Sequence, residues 1–477
     1  MKVTLHLLYG AVAALLTSSC AVGPNYQKPS ISTLTPTEWT WAPAVPRDAV
    51  PKGPWWKIFQ DATLDELETN ALAESPTLRS AVARVDRARA TARLSRSQFS
   101  PQLSLDPAYE YQQTTGNLPT PIPFHIRQAQ FQSYSVPLDL SYEVDLWGKV
   151  RRGFESARAD AQASAADYQN VLLTLTADVA VDYFLLRSLD GEVAALRDTV
   201  VTREESARLL RARFQAGAIA ELDVVQAETE LAAAQADLAD AIRQRAETLH
   251  ALALLCGKSA TSFSLPAQPL PGMPPLVPAD LPANVLERRP DVASAERTLA
   301  SRNAQIGVAQ AAYFPAISLT GQGGFLSASA DKLFSGESLV WSIGPSVSLP
   351  VFTGGRTKAD VHEARAAYDE AVANYRETVL TAVKETEDSL TQIRSREKQV
   401  AAVDQAVKSA RRQVELSNAR YLDGASTYLP VAQAERALCQ EQLQQAQLRG
   451  ECYVASVRLI KALGGGWGTK TEFSRSN

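Results

Sequence analysis

The chain has 477 residues, of which 45% are hydrophobic, and a formal net charge of −4. This length allows two or three ordinary domains or one elongated molecule. The slightly acidic balance offers none of the basic patches that nucleic acid requires, so we expect no nucleic-acid partner. Four cysteines and four histidines are too few for a disulfide scaffold or a metal array, and we predict no metal site.

The first twenty residues, MKVTLHLLYGAVAALLTSSC, are typical of a secretory signal peptide, which we predict over residues 1–19. One basic residue precedes an apolar run that is too short for a spanning helix. Small residues then precede Cys20, as in a bacterial lipobox, although Thr17 stands where such boxes usually carry leucine. We predict that Cys20 is acylated, which would anchor the chain without spanning a membrane. An ordinary cleavage site near a cysteine is the alternative.

The chain contains an internal duplication. Four pairs of residues keep a nearly constant separation: Pro76 and Pro290, Pro101 and Pro315, Gly217 and Gly424, and Gly257 and Gly464. The first two pairs are 214 positions apart (290 − 76 and 315 − 101), and the last two are 207 apart (424 − 217 and 464 − 257). The shorter offset indicates that the first copy carries a longer loop between these two groups of pairs.

The repeat and the proline distribution divide the chain into six predicted segments. These are the signal peptide (1–19), an extended, lipidated N-terminal segment (20–62), repeat 1 (63–257), a proline-rich linker (258–283), repeat 2 (284–466) and a C-terminal tail (467–477). Each repeat is predicted to contain a helix, a β-hairpin, a long helix, a tip and a second helix. The hairpins are 102–147 and 316–352, and the tips are 213–223 and 420–430.

Two segments are predicted to form helices that are longer than a globular domain can cover. Residues 356–423 contain no glycine and no proline and are rich in helix-forming residues. At ~1.5 Å per residue they would extend about 100 Å. The first repeat matches them over 149–216, and second helices are predicted over 221–256 and 428–463. Helices of this length must pack as a coiled coil or a helical barrel, and a plain coiled-coil rod fits them equally well.

The hydrophobic period changes to two in four segments, which predicts strands. Apolar and polar residues alternate over 103–111, 134–146, 317–325 and 341–351, so each repeat carries one hairpin. A lipid-facing strand needs ~9–11 residues, with aromatic residues near the membrane interfaces. Six aromatic residues in or next to the strands could supply them: Tyr109, Tyr111, Phe131, Tyr134, Phe325 and Trp341. A soluble sheet with one wet face is the alternative interpretation.

Transmembrane strands would require an oligomer. A sheet in lipid cannot leave an edge unpaired, so it must close on itself. Four strands per chain are too few, because the smallest membrane barrels have eight. Two chains would supply eight strands and three would supply twelve, and this argument does not choose between them.

A series of motifs occurs in order along the chain: CAVGPNYQKP, WWKIFQDATLDELETNAL, DLWGKVRR, RFQAG with LDVVQAE, LERRPDV, NAQIGVAQAAYFP, FTGGR, RYLDG and KALGGGW. With them the chain resembles the TolC-like outer-membrane efflux channels of Gram-negative bacteria, specifically their lipoprotein (NodT/OprM-like) branch. The resemblance covers essentially the whole mature chain. It implies a mainly α fold with transmembrane β-strands, in which a homotrimer combines a periplasmic α-barrel with a shared 12-stranded outer-membrane β-barrel. The N-terminal segment, linker and tail would form an equatorial region.

The resemblance also implies a function. The protein would be a lipid-anchored, passive exit duct in the outer membrane, serving a tripartite system with a periplasmic adaptor and a proton-driven inner-membrane transporter. The adaptor would meet six matching residues of the tips: Gly217, Ala218, Leu222, Gly424, Ala425 and Leu429. No phosphate loop, nucleophile motif or metal motif occurs, so we predict no catalytic residue and no cofactor beyond the lipid on Cys20. A lipid-anchored coiled-coil scaffold or stalk without a pore is the alternative, although it leaves the strands unexplained.

The closed periplasmic end departs from the family pattern. Relatives often carry acidic residues there, at places that match Pro430 and Gln433, and neither of these is acidic. Asp223 occupies the place in the first repeat that is equivalent to Pro430. We therefore predict a periplasmic constriction formed by Asp223, Tyr421, Leu429 and Gln433, with weaker cation selectivity than an acidic ring would give.

Overall fold

The computed structural model describes residues 21–28, 53–115, 129–275 and 288–465. The signal peptide, Cys20, most of the N-terminal segment, the end of the linker and the C-terminal tail lie outside these residues. The chain forms two compact units. Unit 1 comprises Met1–Pro29, Asp86–Ala163 and Ala295–Asn374, and unit 2 comprises Ser30–Val85, Ser164–Ser294 and Tyr375–Asn477.

Most of the described chain is α-helical. Seven α-helices lie within the described ranges: α1 (Ala62–Glu74), α2 (Pro76–Ser97), α3 (Lys149–Gln215), α4 (Glu221–Leu255), α5 (Pro290–Ala311), α6 (Arg356–Leu422) and α7 (Leu429–Ala462). The two long helices, α3 and α6, have 67 residues each. Both end one residue before the predicted boundary, so the prediction of long helices is confirmed. In the part of the chain that is described, no helix combines the length and the apolar character needed to cross a bilayer.

Unit 1 contains one antiparallel sheet. Its strands are β1 (Gln102–Leu105), β2 (Ala108–Gln113), β3 (Gln130–Val144), β4 (Ala316–Ser327) and β5 (Leu339–Ser348). The order is β1-β3-β4-β5, and β2 also pairs with β3. Within the sheet, the two repeats meet at the β3–β4 pair, which runs from Tyr134 opposite Ser327 to Val144 opposite Ile317.

Three predicted strands need correction. The single strand predicted over 103–111 is broken into β1 and β2 at Pro107, because proline has no N–H to donate to the ladder. The strand predicted over 341–351 is β5, which begins at Leu339 and ends at Ser348, just before Pro350. The strand predicted over 134–146 is β3, which begins earlier, at Gln130, and ends at Val144.

A glycine permits the close pairing of β3 and β4. Gly324 stands opposite Pro137. A Cβ atom at Gly324 would lie 2.2 Å from the carbonyl oxygen of Val136 and 2.8 Å from the Cα of Pro137. Only glycine fits such an approach of two backbones, so this position holds the two repeats in register.

The sheet exposes apolar side chains on its edge strands. Seven of them are at least 57% exposed: Leu103, Leu105, Tyr109, Tyr111, Trp341, Ile343 and Val347. An apolar surface of this kind marks a contact with lipid or with another protein chain.

The core of unit 2 is built around a short N-terminal element. A 3₁₀ helix, Trp55–Phe59, buries both of its tryptophans. The indole N–H of Trp55 donates to the hydroxyl of Thr176 at 3.2 Å. Asp61 caps α1 by accepting from the backbone of Thr63. It also accepts from the Tyr183 hydroxyl at 2.5 Å, so one carboxylate both begins α1 and fastens it to α3.

Glu68 is a buried acid in this core. Its side chain is fully buried, and neither carboxyl oxygen has a hydrogen-bond partner among the described residues. Burial, together with a smaller effect of the nearby charge of Asp65, raises the pKa of Glu68 to about 9. Glu68 is therefore protonated at neutral pH, when an exposed glutamate would be ionised.

We expect this acid to make the fold sensitive to alkaline pH. A carboxyl whose pKa is higher in the folded state favours folding fully below its unfolded pKa of 4.5, and this contribution is lost as pH rises towards about 9. Glu68→Gln should therefore raise the unfolding temperature at pH 9 by on the order of 5 °C and change it little at pH 4.5. Circular dichroism of the purified protein in detergent measures both. The control is Glu66→Gln, an exposed neighbour, and equal pH profiles for Glu68→Gln and wild type would contradict the expectation.

Candidate functional site: two matching helical turns

Two turns connect the long helices to the second helices of the repeats, and both lie in unit 2. The first turn, residues 216–220, joins α3 to α4. The second turn, residues 423–428, joins α6 to α7. They fall within the predicted tips 213–223 and 420–430.

The first turn is closed by two backbone hydrogen bonds. The N–H of Ala218 donates to the carbonyl of Arg213 at 2.9 Å, and the N–H of Gly217 donates to that of Phe214 at 2.8 Å. Gly217 has a φ of +72°. This is a Schellman motif, in which a residue in the left-handed region ends the helix and satisfies its last carbonyls.

The second turn has the same geometry. Ala425 donates to Arg420 at 2.9 Å, and Gly424 donates to Tyr421 at 3.1 Å. Gly424 also has a φ of +72°. Both glycines are exposed, and an added Cβ at either would have no neighbour within 4 Å. Both glycines therefore end their helices.

The helices that leave the two turns begin differently. Glu221 and Asp223 lie in the first turn of α4, which has no side-chain cap. There they favour the helix, because acidic groups are stabilised by the positive end of its dipole. Pro430 lies in the first turn of α7, which has no acid. Proline suits that position because the N–H it lacks would have no partner in the helix.

A small apolar cluster packs the two turns together. Its buried members come from α3, α4, α7 and the second turn: Ala207, Leu210, Val224, Ala227, Tyr428, Val431 and Ala432. The rings of Tyr421 and Tyr428 meet edge to face at 5.7 Å. The guanidinium of Arg213 lies 5.4 Å from the centre of the Tyr421 ring, a cation–π distance. Arg213 of the first repeat therefore packs against Tyr421 of the second repeat.

The environment of the two tyrosines is weakly polar. The Tyr421 hydroxyl is buried and has no hydrogen-bond partner in the described parts of the chain. Burial, together with a smaller effect of the charge of Glu435, raises the pKa of Tyr428 to about 12. Burial likewise raises the pKa of Glu435, against an opposing effect of Arg203. Tyr428 is therefore a neutral packing group at physiological pH.

A buried ion cluster joins three helices near the turns. The carboxylate of Glu230 on α4 is 7% exposed and lies 3.4 Å from the Nη2 of Arg203 on α3. It also accepts hydrogen bonds from Arg436 on α7. Nη1 of Arg203 donates to the main-chain carbonyl of Glu230 at 2.6 Å. The charges satisfy one another, as buried charges must.

This cluster is not predicted above from the sequence, although the sequence contains a signal for it. At the offset of 207, the counterparts of Arg203, Glu230 and Arg436 are Ala410, Ala437 and Thr229. Charged residues that lack a charged counterpart in a duplicated chain indicate a contact that the two repeats do not share.

The predicted site residues fall into two groups. All six predicted adaptor-contact residues, Gly217, Ala218, Leu222, Gly424, Ala425 and Leu429, are exposed, with Leu222 at 74%. Of the predicted constriction, Leu429 and Gln433 are exposed one helical turn apart on α7, whereas Asp223 and Tyr421 are half-buried. Tyr421 lies against the first repeat, where it contacts Arg213. No cluster of histidine, cysteine or acidic residues in the described ranges could hold a metal ion.

An antiparallel sheet with exposed apolar edges and long helices paired through matching turns define a subunit of an outer-membrane channel. A model of the outer membrane efflux protein family matches residues 67–258 and 281–465. The chain belongs to this family and is an efflux protein of the outer membrane. The recognition made from the sequence motifs is confirmed.

Individual relatives resemble the chain over nearly its whole length. It is 33% identical over 463 residues to the outer membrane protein OprJ of Pseudomonas aeruginosa, covering 95% of this chain and 94% of OprJ. It is 33% identical over 468 residues to the solvent efflux pump outer membrane protein SrpC of Pseudomonas putida, covering 95% and 97%. Its structure matches the Campylobacter jejuni CmeC outer membrane channel with a TM-score of 0.84 and 26% identity, covering 95% and 97%.

Two members of the ion cluster should differ in how much their loss destabilises the turns. We expect Glu230→Gln to destabilise the region of the turns by about 2–4 kcal/mol, because it leaves the buried charge of Arg203 without its partner. Arg436 is 58% exposed, so Arg436→Gln should cost less than about 1 kcal/mol. Hydrogen exchange of the α3 and α4 amides near the turns measures the difference. Equal exchange in the two variants would show that the cluster does not hold the turns.

Proposed function

We propose that three copies of the chain form a passive duct through which small toxic molecules leave the cell. The observation that carries this proposal is the sheet of unit 1, whose two outer edges have no partner strand within the described chain. Lipid cannot satisfy the backbone groups of an open edge, so each edge must pair with another chain. With β1 and β2 counted as one interrupted strand, three chains supply a 12-stranded barrel. The resemblance to TolC-like channels favours three chains over two.

The duct would depend on partners for energy. The family consists of transport ducts, and we infer that an inner-membrane transporter, driven by protons, supplies the energy through a periplasmic adaptor. SrpC carries the name of a solvent efflux pump protein, which supports small organic molecules as the cargo class here. We further assign the covalent lipid anchor to Cys20.

The two exposed turns are the proposed adaptor contacts. Gly217 and Gly424 share one backbone geometry, and Leu222 and Leu429 add exposed apolar side chains beside them. Exposed apolar groups next to bare backbone suit a partner helix that approaches closely. A trimer would carry six such turns.

Gly424→Arg tests the adaptor contact. We expect it to abolish efflux of a fluorescent dye from cells that depend on this channel, because a long side chain would block the partner while trimer formation and membrane insertion stay intact. Gly424→Asn is the matched control, since asparagine tolerates the left-handed conformation with a small side chain. It should keep most of the transport. Full transport by Gly424→Arg would refute the contact at this turn.

Recording in planar bilayers tests the duct and its constriction together. The purified trimer should give discrete conductance steps, whereas a scaffold without a pore would stay silent. The proposed constriction is formed by Asp223, Tyr421, Leu429 and Gln433. Gln433→Asp should raise cation selectivity several-fold, because it adds a charge to each chain at an exposed position near the narrowest part.

The same recordings can overturn the constriction. If wild type is strongly cation-selective, if Asp223→Ala abolishes that selectivity, and if changes at Tyr421, Leu429 and Gln433 leave it untouched, the assignment is wrong. Leu429→Ala offers a further check, because widening the constriction should raise conductance.

A further inference from the structure

A cavity of about 500 Å³ lies in unit 1 where the sheet meets the helices. Three basic side chains of α6, Lys358, His362 and Arg365, line one part of it, and the aromatic residues Tyr313 and Phe314 line another. Val22, from the segment that comes after Cys20, closes a third side.

The basic side chains form a single stripe. Positions 358, 362 and 365 have the spacing i, i+4 and i+7, which places them on one face of α6. All three are exposed or half-buried, and none makes an ion pair with another described residue. Asp369 continues this face one turn further without pairing with Arg365. The stripe therefore presents positive charge to the cavity.

The first repeat differs from this stripe at two of its three positions. At the offset of 207, Arg151, Glu155 and Arg158 stand in place of Lys358, His362 and Arg365. The guanidinium of Arg151 pairs with Asp145 at 3.1 Å, and Glu155 pairs with a neighbouring arginine at 2.8 Å. The first repeat therefore neutralises the charge at the first position and carries an acid at the second, whereas all three positions are basic in the second repeat.

The aromatic side of the cavity has the character of a membrane interface. Phe314 stacks on Trp147 at 4.8 Å, and the indole N–H of Trp147 donates to the carbonyl of Pro315 at 2.8 Å. Tyr313 is 51% exposed. Val351 and Phe352, just before α6, are 91% and 90% exposed. Exposed apolar residues, aromatic residues and basic residues thus lie near one another, as they do where a membrane protein passes from the lipid tails through the headgroups to water.

The segment that carries Val22 is firmly docked. The N–H of Val22 donates to the carbonyl of Trp147 at 2.9 Å. Arg152 donates to the side chain of Asn25 at 2.8 Å, and Asn303 donates to the carbonyl of Pro24 at 3.0 Å. The wall of the cavity that is nearest in sequence to the proposed acyl anchor is therefore fixed.

We propose that this cavity binds the headgroup of an anionic phospholipid. Lys358 and Arg365 hold the phosphate through charge-assisted hydrogen bonds, and His362 donates a further hydrogen bond. Tyr313 and Phe314 contact the glycerol and the upper part of the acyl chains. A basic patch beside an acyl anchor makes attachment to the membrane firmer than either alone. The inference depends on the outer-membrane location of the family and not on the proposed duct.

Titration of the purified full-length protein with dioctanoyl phosphatidylglycerol, followed by native mass spectrometry, tests the site. Dioctanoyl phosphatidylcholine, which has the same chains and no net charge, should bind at least tenfold more weakly. The double variant Lys358→Gln/Arg365→Gln should lose at least tenfold in affinity for phosphatidylglycerol. The control variant Lys332→Gln/Arg356→Gln removes the same charge from a loop and from a position about 200° around α6, and it should bind within twofold of wild type.

Three results would overturn the proposal. One is unchanged phosphatidylglycerol binding by Lys358→Gln/Arg365→Gln. Another is competition by inorganic phosphate at concentrations similar to those of the lipid, which would make the cavity a site for free anions. If the double variant does not form trimers, the salt dependence of lipid binding by the wild-type protein tests the charge contact. The affinity of wild type for phosphatidylglycerol should fall at least tenfold between 50 mM and 500 mM salt. The third refuting result is an affinity that does not change with salt.

Discussion

The rest of this molecule depends on the pairing of β3 with β4. That pair joins the hairpins of two duplicated units into one sheet, and the contact is close because Gly324 leaves room for Pro137. As a result, each chain has one sheet with two outer edges instead of two separate hairpins with four. In lipid, where an unpaired backbone group costs several kcal/mol, this reduction leaves only two edges per chain for other chains to cover.

The duplication has preserved backbone geometry more strictly than side-chain chemistry. Gly217 and Gly424 have the same φ and the same pair of hydrogen bonds, since only this arrangement ends a long helix and reverses the chain in so few residues. The helices that leave the two turns differ, with Asp223 in one repeat and Pro430 in the other. The buried Glu230 also has no acidic counterpart in the second repeat. The two repeats therefore share the backbone of the turn, whereas the acids Asp223 and Glu230 occur in only one of them.

The sequence predicts the helices better than the strands. The ends of α3 and α6 are within one residue of prediction, because a glycine with positive φ is a local signal. Strand ends depend on pairing partners, so period-two alternation could not reveal the break at Pro107 or the end of β5. Likewise the turns were predictable, whereas the contact of Arg213 with Tyr421 joins residues more than two hundred positions apart. The constriction stays a prediction, since its residues would meet only across chains.

The difference between the repeats constrains any partner of the proposed trimer. Six turns with one backbone would surround the periplasmic end with near-sixfold symmetry. Their chemistry would alternate, because turns followed by Asp223 would stand next to turns followed by Pro430. A partner that contacts only the backbone at Gly217 and Gly424 could bind all six turns equally. A partner that recognises charge would bind the three turns of one repeat differently from the three turns of the other. Loss of function through Gly217→Arg and Gly424→Arg alike would indicate the first kind of partner, and unequal loss would indicate the second.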